Sequence, residues 1–363
     1  MTAMAAHTHD DIDWADRIPA LRRSDDVHAP VHAEIAVRLV DQLGERPVIV
    51  DAGSGAGGMS AAFAAELARR GGGTLVLLDA VPDLLDVAGT VAQAAVERVR
   101  AEIDATAAPD DLPRAPQRSG GSPEPASQYQ QRIEVEQARA ELDGATMAAT
   151  VGRGHPAAEA VSTVASDGQV LINRIHADVA SAELNQLVPV ADLVWAASMV
   201  HHLPDQQAGV TGLVTALKAG GMLALVEGSP PTYCLPWDLG IGEPGLERRL
   251  LAAHDRWFGQ MRAGMPGSVR MPYGWNIALA KAGLDRVGSF SRLVDRPAPP
   301  DDVVRNYVVE HVKWLGSVTD ELMTQDDRDI LSRLLDPVDS EYLGSREDLY
   351  VLGARTVHFG FRR

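Results

Sequence analysis

Two carboxylates stand where short apolar runs break: Asp51 in "VIVDAGSGAGGMS", residues 48 to 60, and Asp79 in "LVLLDAV". Gly53, Gly55 and Gly58 match the G-x-G-x-x-G pattern, which can cradle the phosphates of a dinucleotide. A carboxylate at Asp51 would repel a pyrophosphate and suits a cationic ligand instead. Further on, "HHLPD" sets His201 beside His202, and imidazoles titrating near neutrality can take a proton from a hydroxyl or amine. The same turn could equally be a packing feature. Tyr233, Trp237, Trp257, Phe258, Tyr273 and Trp275, with Met261, Met265 and Met271, crowd residues 229 to 275. They fit a lid over an apolar, ring-containing molecule, with Tyr233, Trp237, Tyr273 and Trp275 as substrate contacts, or else a core beneath a long loop. Glu227, Asp238 and Glu243 are free to hold a cationic group or to face solvent.

These residues need strands and turns to position them. "PVIVDAG" reads as a buried strand entering a glycine turn, and the alanine-rich "MSAAFAAELARR" as the helix that follows. "GGGTLVLLDAV" repeats the scheme, with a helix over 83–103. Strands are also expected in "GQVLINRIHADV", "ADLVWAASMV" and "MLALVEGS", with "QQAGVTGLVTALKAGG" as a helix stopped by its glycines. "DRVGSFSRLVDRP" reads as a strand, 301–335 as helical, and "DLYVLGARTVHFGF" as a final strand at the sheet edge. Alternation of strand and helix implies an α/β protein with a parallel sheet. Before it, 31–43 has helical periodicity, and 1–46 forms a helical cap. Residues 104–165 read as an insertion, opening with a proline-rich stretch and carrying an exposed helix in "QYQQRIEVEQARAELDG".

The stretch from Asp51 resembles motif I of class I S-adenosylmethionine-dependent methyltransferases, an acidic residue, any residue, then Gly-x-Gly-x-Gly. The resemblance implies a Rossmann-like seven-stranded, mostly parallel sheet with an antiparallel last strand and helices on both faces. It implies S-adenosylmethionine as cofactor and S-adenosylhomocysteine as product. Motif I supplies Asp51, Gly53, Ser54, Gly55 and Gly57. Asp79, with Ala80, matches the acidic residue that accepts both ribose hydroxyls. Asp178 and Val179 match the adenine-side position, the alternative for Asp178 being a cap on the next helix. "ADLVWAASMVHHLPD" resembles the fourth-strand motif and supplies Ala197. His201 or His202 is the candidate general base, and Arg22 or Arg23 either pairs with the methionine carboxylate or lies on a solvated face.

Bulk properties bound the partners. A formal charge of -17 removes the electrostatic footprint of nucleic-acid binding and favours a cationic or neutral small molecule. One cysteine, Cys234, gives no internal disulfide and no zinc spacing, which together with an acidic N-terminus and no long apolar run leads to an expectation of a cytoplasmic protein without membrane or metal. The expected chemistry is methyl transfer to oxygen, nitrogen or carbon of a small acceptor, such as one from specialised metabolism. An NAD(P)-dependent oxidoreductase, a protein methyltransferase and a non-catalytic S-adenosylmethionine-binding protein are the rivals, and a homodimer is left open.

Overall fold

The computed structural model describes residues 14–107, 168–180 and 184–363. By its contacts the chain divides into Met1–Ile103 with Val161–Arg363, and Asp104–Ala160. The expected helix in "QYQQRIEVEQARAELDG" lies outside the described residues.

The first unit opens with α1 (Trp14–Val40), followed by β1 (Val48–Ala52), α2 (Gly58–Arg69), β2 (Gly73–Asp79) and α3 (Pro82–Ala107). Then come β3 (Val170–His176), the single turn α4 (Leu184–Leu187), β4 (Ala191–Ala197), α5 (Gln206–Thr215) and β5 (Leu217–Val226). The C-terminal part holds α6 (Leu246–Gly264), α7 (Trp275–Lys281), β6 (Leu284–Arg296), α8 (Asp302–Thr319), α9 (Gln325–Leu335) and β7 (Val351–Arg362).

Seven strands form one sheet in the order β3-β2-β1-β4-β5-β7-β6. The first five are parallel, and β7 runs antiparallel to both β5 and β6. Strands buried on both faces are continuously apolar, and Leu75 to Leu78 of β2 are wholly out of solvent. One face is covered by α1, α2 and α3 together with the C-terminal helices, through Ile35, Leu39, Phe63, Leu85 and Val308; the other by α4, α5 and α7, through Leu184, Leu213 and Leu279.

Two expectations are corrected. The last strand is not at the edge: β7 inserts between β5 and β6, so the thirteen-residue β6 is the edge. Its central place buries Val351, Val357 and Phe361. Nor do the glycines of "LKAGG" stop a helix. The helix ends at Thr215, and Gly220 (φ +74) and Gly221 lie within β5, where the register against β4 shifts. A Cβ on Gly221 would stand 2.9 Å from the Ala191 carbonyl, so close backbone approach explains this glycine. No helix among the described residues is long and apolar enough to cross a membrane.

Candidate functional site

All the parallel strands end on one side of the sheet, where ligands of open α/β sheets bind. The turn after β1 begins with Gly53 and Ser54 N–H donating to Leu78 O, and continues through left-handed glycines at 53, 55 and 57. Gly57 must be glycine for packing as well, because its Cβ would fall 2.5 Å from the Ala88 Cα of α3, whereas Gly55 faces open space. Asp79 receives the turn: Oδ2 accepts from Gly55 N–H at 2.9 Å and Oδ1 from Val81 N–H at 3.0 Å. A carboxylate offers about four lone-pair sites and Ala80 N–H also bonds to it, so about one remains for a ligand. The Ser54 hydroxyl is buried without a protein partner, a polar atom that a bound ligand can satisfy.

Asp51 is 2% exposed and accepts from Ser60 Oγ at 2.5 Å. Burial pushes its carboxyl up to about 7; the Ser60 bond pulls it down, while Asp79 and Asp25 raise it further. Burial likewise raises Asp79. Acidic groups held this way are stabilised by an incoming cation. Asp178 accepts from Ala180 N–H at 2.8 Å in the turn after β3, and His176 Nε2 meets Ala80 O at 3.0 Å. Exposed Ala80 and half-buried Val179 thus flank the ends of β2 and β3, and half-buried Ala197 ends β4.

Beyond Ala197 the chain passes through Ser198, a non-glycine residue at φ +51, into a 3-10 turn, Val200–His202. Such strain persists where surrounding contacts fix it. Here Glu227 fixes it. Its Oε1 accepts from Met199 and Val200 N–H at 2.8 and 2.7 Å, and its Oε2 lies 2.5 Å from His201 Nδ1. Glu227 therefore neither holds a cationic acceptor nor faces solvent; it is 2% exposed and orients an imidazole. With Nδ1–H given to Glu227, Nε2 carries the lone pair. His202 lies against His201, ring centroids 4.0 Å apart.

The α6 helix closes over this turn. Arg262 donates to the carbonyls of His201, Leu203 and Pro204, and Phe258 meets the His201 ring at 5.6 Å. The four expected substrate aromatics do not share a wall. Tyr233 and Trp237 line a small cavity of about 90 Å³ with Tyr350 and Arg248, and Trp237 is 59% exposed. Tyr273 donates to Gln207 at 3.0 Å, and Trp275 packs in the core beneath β5, beside Gly228. Asp238 and Glu243 are exposed, Asp238 accepting from Gly240 N–H.

From α1, Arg22 donates to Ala56 O of the glycine turn and also reaches Asp25. Asp25 accepts from Gly58 N–H and so caps α2, which has no cap of its own. Arg23 points away, paired with Glu310. The sequence reading missed Asp25, Ser60 and Ser198; only the nearness of Ser60 to Asp51 was a local signal.

The strand order, with its single reversed strand, now stands together with acidic residues ending β1 and β2 around a left-handed glycine turn. The fold is that of class I S-adenosylmethionine-dependent methyltransferases. No family model matches the chain, and no curated protein matches it. Solved structures do. The YcgJ protein of Bacillus subtilis superposes with a TM-score of 0.40 at 13% identity, over 92% of this chain and 98% of that one. A SAM-dependent methyltransferase from Thiobacillus denitrificans, solved with S-adenosyl-L-homocysteine, gives 0.38 at 14% identity over 90% and 89%. Phosphoethanolamine N-methyltransferase 2 of Haemonchus contortus, solved with S-adenosyl-L-methionine, gives 0.36 at 12% identity over 91% and 52%. At such scores the strand order and register above carry the fold assignment.

Proposed function

We propose that the protein binds S-adenosylmethionine at Asp51, Asp79 and the glycine turn and directs its methyl group to a small-molecule acceptor. The observation that carries this reading is the pair of buried carboxylates near the ends of adjacent strands, with Asp51 bonded to Ser60 just beyond the turn and Asp79 bonded to Gly55 within it. When bound, the cofactor supplies an activated sulfonium methyl, so the protein mainly aligns reactants and excludes water.

In this reading Asp51 would face the cofactor's ammonium, the remaining acceptor capacity of Asp79 would serve the ribose hydroxyls, and Ser54, Gly53, Gly55 and Gly57 line the turn. Ala80, Asp178 and Val179 would bound the adenine side, and Ala197, at the end of β4, would be a further cofactor contact. His201, oriented by Glu227, would use Nε2 to hold the proton that an acceptor hydroxyl or amine loses, and the bound cofactor would supply the methyl group, its carbon–sulfur bond breaking to leave S-adenosylhomocysteine. His202 supports that ring. Such a small-molecule reaction suits specialised metabolism in the cytoplasm.

Asp79→Ala is expected to weaken S-adenosylhomocysteine binding by roughly 1 to 3 kcal/mol, the scale of hydrogen bonds to a charged acceptor. Calorimetric titration of the two proteins checks it, and equal affinities would remove the ribose assignment.

A further inference from the structure

A second polar cluster lies where α1, α8 and β7 meet. Arg355 of β7 has its Nε buried without a partner, and neither an ion pair nor a hydrogen bond to its guanidinium occurs among the described residues. His32 Nδ1 and His311 Nε2 are also buried and unpartnered. A desolvated guanidinium stays charged, and leaving it without a bonded anion is costly. Asp25, the acidic group near it, already serves Gly58 and Arg22. Burial, with Arg355 adding to it for His28 and His32, holds His28 and His32 down to about 3, so the imidazoles add no charge of their own.

Rings continue from this cluster to His201. Tyr307 stacks on His311 at 5.6 Å and 8°, and Trp314 stands 6.0 Å from His311 and 5.2 Å from His254. His254 lies 6.5 Å from Phe258, the residue against His201. One wall of flat side chains therefore joins the unpaired cation to the proposed base.

We propose that Arg355, with His32 beside it, is a carboxylate receptor, and that the acceptor is a ring-bearing carboxylic acid laid along the rings from Tyr307 to Trp314. This rests on the methyl-transfer reading, and it reverses locally the preference for a cationic or neutral acceptor drawn from the net charge of -17. Two N–H groups of one guanidinium edge match a carboxylate's two oxygens, and the unpartnered His32 Nδ1 is a further donor beside them.

A receptor kept for a ligand is a liability without it. Arg355→Met, of similar reach and no charge, is expected to raise the unfolding midpoint of the ligand-free protein by about 2 °C or more. S-Adenosylhomocysteine affinity should stay within about threefold of wild type. With S-adenosylhomocysteine saturating, 4-hydroxybenzoate should stabilise the wild type more than 4-hydroxybenzamide does, and that preference should vanish in the variant. If the variant instead binds S-adenosylhomocysteine tenfold or more weakly while gaining stability, the carboxylate received is the cofactor's own. A lowered midpoint in Arg355→Met makes the residue a structural brace and overturns the proposal, whatever the ligand titrations show. Failure of the wild type to bind S-adenosylhomocysteine would overturn the methyl-transfer reading separately, since the ligand-free midpoint does not depend on it.

Discussion

Asp51→Asn is expected to weaken S-adenosylhomocysteine binding by roughly 2 to 5 kcal/mol, about 30-fold to several thousand-fold, the scale of removing one member of a buried charge pair. The side chain is nearly isosteric, so Ser60 keeps its partner and the turn its shape. What disappears is the charge facing the ammonium. Because burial pushes the Asp51 carboxyl up to about 7, the unliganded site is largely protonated below that pH. Affinity should therefore rise with pH, by up to about tenfold per pH unit below 7, and level off above it. Asp51→Asn should show no such slope. The stability sign runs the other way: the folded state holds this proton between about pH 4 and 7, while the unfolded chain has released it, so folding loses stability as pH rises through that window. Ligand-free Asp51→Asn should accordingly gain on the wild type at pH 8 relative to pH 5. Calorimetry between pH 5.5 and 8.5, with melting curves at both extremes, checks both statements. A pH-independent wild-type affinity would detach Asp51 from the cofactor.

The second large effect concerns the proton. For an acceptor that must lose one, His201→Ala is expected to lower single-turnover methyl transfer by about 10²- to 10⁴-fold, the range supplied by a positioned general base. Glu227→Gln is the sharper variant. Its amide oxygen can still accept from Met199 and Val200 N–H, but its NH₂ faces His201 Nδ1 and turns the ring to the tautomer with Nε2–H, which cannot accept a proton. The rate should fall between those of wild type and His201→Ala, and the acidic limb of the pH–rate profile should move. A Glu227→Gln rate loss without a change in that profile would reduce the glutamate to a turn-former. Unchanged turnover in both His201→Ala and His202→Ala would remove the base altogether.

Much of this site is written locally in the chain. Asp51 and Asp79 end apolar runs, and the glycines between β1 and α2 sit within a few residues of each other, so spacing alone locates the turn. Parallel order follows from alternating strands and helices, and the reversed β7 agrees with the resemblance. Its place inside the sheet was not legible, because alternation along a strand reports burial of a face and not which neighbours pair with it. Aromatic crowding in 229–275 did not separate the rings by position: Phe258 reaches His201, while Trp237 faces solvent beneath Arg248. Glu227 looked like any acidic residue after a strand until the fold set it under the 3-10 turn. The Arg355 cluster has no local signature at all, since α1, α8 and β7 contribute residues far apart in the chain, His32 standing hundreds of positions before the other two elements.

The most direct test of the cofactor assignment is a thermal-shift titration of the protein with S-adenosylhomocysteine, NAD and NADP side by side. A ligand that binds only the folded state stabilises it by about 2.7 kcal/mol at a hundred times its Kd. A dose-dependent rise with S-adenosylhomocysteine, and with neither dinucleotide, is the predicted result. A rise with NAD or NADP alone would mean that the turn after Asp51 cradles a pyrophosphate and that the protein is a redox enzyme.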